Sequence, residues 1–149
     1  MSSPRPTYTQ DQFELTVDWI INNYTYCLED TSLFAFTAPK PLTIDEQKIK
    51  DSRIKAAQDT FRQELISLFQ KRAKDEHHPI GIFCDRGLED KEIQAICNKT
   101  KIHFKGSKWD IFMYPDTETV EKWRGQVVAH GGYNANTEYL NKTPPSFSQ

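Results

Sequence analysis

A chain of 149 residues with 19 Lys and Arg against 21 Asp and Glu has a formal net charge of -2, with both signs spread along its length. No single-sign field therefore marks it for nucleic acid or an anionic membrane surface. The length suits one hydrophobic core, and although only 37% of residues are apolar, nine Phe, six Tyr and three Trp bury much area per residue, which argues against global disorder.

No apolar run is long enough to cross a bilayer. Residues Met1 to Thr7 hold neither the apolar stretch of a secretory signal nor the Arg-rich pattern of a transit peptide. Cys27, Cys84 and Cys97 are odd in number, far apart and set among apolar neighbours, so they read as reduced core thiols. With no CxxC and no Cys and His at zinc-ligand spacing, neither a metal nor a cofactor is expected. Three sequons, at Asn23, Asn98 and Asn141, are read as chance matches. These features predict a soluble domain of the cytoplasm or another reducing intracellular compartment, with no membrane association.

Residues 1–8 read as a flexible lead. Thr9 and Gln12 then form a capping box, with Tyr8 and Phe13 as a hydrophobic staple. Phe13, Val17, Ile20, Tyr24 and Cys27 follow as one helical stripe to about Leu28. Thr31 to Leu42 reads as an ordered connection whose Leu33, Phe34 and Phe36 reach the core. A second capping box, Thr43 with Glu46, opens a helix to about Lys74 with Ile54, Ala57, Phe61, Leu65 and Leu68 inward. Its first turns, Asp45 to Arg53, are polar and project into solvent or meet a partner.

After Pro79 the period changes. Ile80 to Cys84 is a continuous apolar run that suits a strand buried on both faces. Leu88 to Asn98 reads as a helix with Leu88, Ile93, Ile96 and Cys97 inward. Ile102 to Phe104 and Trp109 to Tyr114 read as strands of an antiparallel hairpin. Asp116 or Thr117 is expected to cap a last helix carrying Val120, Trp123, Val127 and Val128, ended by Gly131 and Gly132. Residues 9–132 thus form a single α/β or α+β domain: two N-terminal helices on a small three-stranded sheet with two further helices, in the order α-α-β-α-β-β-α. Residues 133–149 form a surface or frayed tail.

The turn Cys84-Asp85-Arg86-Gly87 is the leading candidate site, since a strand end followed by a helix N-terminus presents N–H groups to an anion. There Asp85 and His103 are the candidate catalytic pair, with Arg86, Gly87 and Lys105 as ligand contacts. The plainer alternative is an ordinary turn in which Gly87 supplies a positive φ.

His77, His78 and His130 are explained as helix C-terminal neighbours of the macrodipole. Any proton-transfer pair of His103 or His130 with Asp85 or Asp110 requires a fold that joins them. Trp109, Phe112, Tyr114 and Trp123 read as core packing in preference to a stacking platform. Lys99, Lys101, Lys105 and Lys108 form one local excess of positive charge.

Because ionisable residues are scattered, the first functional reading is protein–protein interaction or assembly, with the exposed face of the Asp45 to Glu76 helix as the surface and self-association as its simplest form. A small enzyme or binding protein for an anionic small molecule is the second. A nucleic-acid-associated protein is the third. Whether the chain is an enzyme is left open by the sequence.

Overall fold

Thr9 starts the first helix through the reciprocal bonds that its spacing to Gln12 implies: the Gln12 N–H donates to Thr9 Oγ1 at 3.2 Å, and the Thr9 N–H donates to Gln12 Oε1 at 2.8 Å. This computed structural model describes residues 8–27, 43–75, 80–85, 87–131 and 136–140. Helix α1 spans Gln10–Tyr24 and buries Phe13, Val17, Trp19 and Ile20. It ends sooner than the apolar stripe suggests, because the chain turns extended at Thr25, whose hydroxyl donates back to the Ile21 carbonyl. Strand β1, Thr25–Cys27, therefore delivers Cys27 to the core from a strand, where it lies opposite Ile102.

Helix α2, Ile44–Lys74, is capped by Thr43 and Glu46 in the same reciprocal way. At about 1.5 Å per residue its 31 residues reach roughly 46 Å. Its buried residues, Phe61, Leu65, Ile66, Leu68 and Phe69, all lie in the C-terminal half, while Ile44 and Ile49 in the first turns are 77% and 54% exposed. Arg62 joins the helices, its Nε donating to Asp18 Oδ1 at 2.8 Å. Helix α3, Lys91–Thr100, buries Ile93, Ile96 and Cys97 and packs on α2.

Among the described residues, six short strands form two sheets. The smaller pairs β1 antiparallel with β3, Ile102–Phe104. The larger has the order β2-β4-β5-β6, all antiparallel, from Ile80–Cys84, Trp109–Met113, Val127–Gly131 and Asn136–Tyr139. One face carries Ile80, Ile82, Cys84, Trp109, Ile111, Met113, Val127 and Ala129 into the same core as α1 and α2. A mixed helix and sheet fold of α+β class results.

Four expectations are corrected. The predicted hairpin is absent: Ile102 to Phe104 pairs with β1 and Trp109 to Met113 with β2 and β5, so the chain changes sheets between them. The predicted last helix is instead a single 3₁₀ turn, Glu121–Trp123, followed by β5 in the interior of the sheet. The strand Ile80–Cys84 is an edge strand with Phe83 exposed, so it is covered on one face only. The larger sheet has four strands, and the order α-α-β-α-β-β-α gives way to α1-β1-α2-β2-α3-β3-β4-β5-β6. Its fourth strand, β6, comes from residues 136–139, inside the stretch read as a tail. The Thr31 to Leu42 connection, His77, His78 and Gly132 lie outside the described residues.

Candidate functional site

The strand-end region brings several residues of the turn and the following strands to one depression of about 290 Å³. Strand β2 contributes Cys84, and Gly87 and Leu88 follow it. Helix α3 supplies Gln94, Cys97 and Asn98. Strand β3 and its exit supply His103, Phe104, Lys105 and Gly106, with Tyr26 of β1 beside them. The Tyr26 and His103 rings, paired across the small sheet, lie 5.9 Å apart and tilted by 32°. Gly87, His103 and Lys105 thus meet, as residues 16 and more positions apart do only when the chain folds back.

Asp85 is exposed and does not line the depression; its N–H donates to the Gly87 carbonyl at 3.3 Å. Arg86 lies outside the described residues. The helix N-terminus expected just after Gly87 begins at Lys91 instead, and Asp90 already occupies it: its carboxylate accepts the N–H groups of Glu92 and Ile93. A ligand anion is displaced from that position by the protein's own. Burial pushes the Cys97 thiol up to about 11 and raises the Cys84 thiol as well, so both stay protonated at neutral pH and neither is an activated nucleophile. Of the lysines at 99, 101, 105 and 108, Lys99 is paired with Glu64 at 2.5 Å. Among the described residues, no group of three or more His, Cys, Asp or Glu side chains is placed to hold a metal ion, and no helix is long and apolar enough to cross a membrane.

A second surface escapes any reading of spacing alone. The pairing register places Phe83, Asp110, His130 and Thr137 in one row across the outer face of the four-stranded sheet, and Gly81, Phe112, Val128 and Tyr139 in the next. Phe83 is 55% and Tyr139 46% exposed. Tyr114, just past β4, stacks on Trp123 with centroids 5.1 Å apart and planes 29° apart, and Lys122 Nζ stands 5.6 Å from that Trp123 ring. Trp109 alone of the four aromatics singled out in the sequence is deeply buried, stacked on Tyr24 at 5.0 Å.

The same face carries the histidine–carboxylate pair that the sequence could not join. His130 Nδ1 lies 2.9 Å from Asp110 Oδ1. His130 is therefore a strand residue opposite Asp110, which replaces its expected place at a helix end. Bulky residues on both faces of β4 were read as core packing; without the register, nothing in the sequence gathered Phe83, Phe112 and Tyr139 on one face. Comparison with protein-family models, curated proteins and solved structures gives no significant match.

Proposed function

We propose that this domain acts by binding a protein partner through the open face of its four-stranded sheet. The carrying observation is an aromatic band in which Phe83 and Tyr139 are exposed and Phe112 is half-buried, continued by the half-buried stack of Tyr114 and Trp123. Large exposed apolar groups gathered on one face cost solvation free energy unless something covers them, and Tyr, Trp and Phe are the residues that protein interfaces favour. The Asp110 and His130 pair at 2.9 Å sets a polar point inside the band, which fixes the orientation of a partner. Among the described residues the helices pack on the other side or on one another, so the face supports contact without rearrangement of the core.

The test compares the wild type with Phe83→Ser plus Tyr139→Ser and, separately, with Ile44→Glu plus Ile49→Glu on the overhanging turns of α2. Sedimentation and crosslinked recovery of a partner are measured once circular dichroism shows each variant folded. The sheet-face pair should weaken association by about 30-fold or more, the size of one hot-spot loss. Loss with the α2 pair alone would move the contact to the helix, and retention of full association by the sheet-face pair would refute the proposal.

A further inference from the structure

The depression between α3 and β3 is separate from the sheet face, and its lining draws polar residues from both elements. Asn98, His103 and Lys105 all line it, and their side chains make no hydrogen bond or ion pair with the described residues. Among the described residues its lining includes one cation and no carboxylate. Converging polar groups without internal partners beside an apolar wall are what small-molecule sites are made of. Here the wall is the Tyr26 and His103 ring pair, with Leu88 and Phe104.

We infer that this depression binds a small aromatic carboxylate. The ammonium of Lys105 meets the carboxylate as a point charge, the flat ring lies against the Tyr26 and His103 rings, and the Asn98 amide offers a donor and an acceptor to substituents on the ring. Gln94, one turn before Asn98 on the same helix face, is already engaged: its Nε2 donates to the Leu88 carbonyl and so braces the wall. The volume of about 290 Å³ falls at the small end for ligand sites, which suits a single ring.

Benzoate serves as the probe, against benzamide, acetate and cyclohexanecarboxylate, in two-dimensional amide NMR. The backbone amides of Gly87 and Gly106 and the Asn98 side-chain amide report on the depression. Benzoate should shift all three with a Kd on the order of 1 mM, the range open to a ligand of so few atoms. Each control should bind at least about fivefold more weakly, benzamide for lack of charge, acetate for lack of a ring and cyclohexanecarboxylate for lack of a flat aromatic one. Lys105→Met should weaken benzoate about tenfold, Lys105→Arg should restore it, and His103→Leu should reduce the preference for benzoate over cyclohexanecarboxylate. The same spectra show whether each variant is folded. No shift at 10 to 20 times that concentration, shifts confined to other parts of the chain, or unchanged binding by Lys105→Met would each overturn the assignment; equal binding of acetate would overturn the aromatic class.

Discussion

Asp90 and Arg72 tie two helices at a single point. The Asp90 carboxylate accepts the Glu92 and Ile93 N–H groups at the start of α3 through Oδ1, at 3.1 and 3.2 Å, while its Oδ2 lies 2.9 Å from Arg72 Nη2 near the end of α2. Local capping chemistry and long-range packing therefore share one side chain. A cap of this kind contributes about 1 kcal/mol, and a partly exposed ion pair adds on the order of 0.5 kcal/mol. Asp90→Ala should lose both, about 1.5 kcal/mol in urea unfolding, and Arg72→Met less than half of that. Asp90→Asn keeps the cap and should resemble Arg72→Met. Equal losses for Asp90→Ala and Arg72→Met would show that the cap contributes nothing.

Gln12 links α1 to the sheet in a comparable way, but from inside. It is buried, and beyond its capping bond its Nε2 donates to the Tyr114 carbonyl at 2.8 Å and to the Gln126 carbonyl at 3.4 Å. Those carbonyls belong to the segments that leave β4 and enter β5. Gln12→Leu would leave them without this donor, at a cost of about 1 to 3 kcal/mol. Gln12→Glu should cost more, since it places a carboxylate against carbonyl oxygens in a buried site. Thermal unfolding of both variants checks the order, and a Gln12→Leu variant as stable as wild type would contradict it.

The capping boxes, one of them built on Gln12, show what was legible in the sequence and what was not. The Thr9 and Gln12 box and the Thr43 and Glu46 box are local, each contained in four residues, and both helix starts follow from them directly. The segment from Val120 to Val128 is different: its spacing satisfies one helical face, but Val127, Val128 and Ala129 are equally a short run of buried apolar residues. Periodicity does not separate these cases. What does is the space between β4 and β6, where β5 pairs on both edges, and no local signal encodes that.

The site divides likewise. Gly87, His103 and Lys105 were legible as chemistry-bearing types near a strand end, whereas the contribution of Asn98 from α3 and the opposition of Asp110 to His130 depend on strand pairing across the fold.

Two glycines mark places where backbone approach limits substitution. A Cβ at Gly81 on β2 would run into the carbonyl oxygen of Ile111 and the ring of Phe112, while one at Gly131 would meet the hydroxyl end of Tyr24. Backbone of a paired strand moves less readily than the tip of a side chain. Gly81→Ala should therefore destabilise by about 2 to 3 kcal/mol and Gly131→Ala by about 1 kcal/mol, within the range for overpacked sites. Because Tyr24 stacks on Trp109 at 5.0 Å, only Gly131→Ala should also change tryptophan fluorescence without unfolding. The reverse order of losses would mean that the strands yield more easily than the Tyr24 ring.

Alkaline pH should loosen the core through its thiols. Burial raises Cys97 from 9.0 to about 11, and it raises Cys84 and the phenols of Tyr8 and Tyr114 as well. The native state then holds a proton on Cys97 that the unfolded chain has already released. Stability from this group is complete below pH 9 and is lost as the pH climbs toward 11. At pH 10.5 a two-unit difference amounts to about 2 kcal/mol for this thiol. Unfolding free energies from urea titrations in reductant, at pH 8 and pH 10.5, give the drop for the wild type and for Cys97→Ala. The variant is less stable at both pH values because of the cavity it leaves, so the comparison rests on the change between them. That change should be smaller in Cys97→Ala by about 2 kcal/mol, and an identical change in the two proteins would place the alkaline weakness elsewhere, with the Tyr8 phenol first in line.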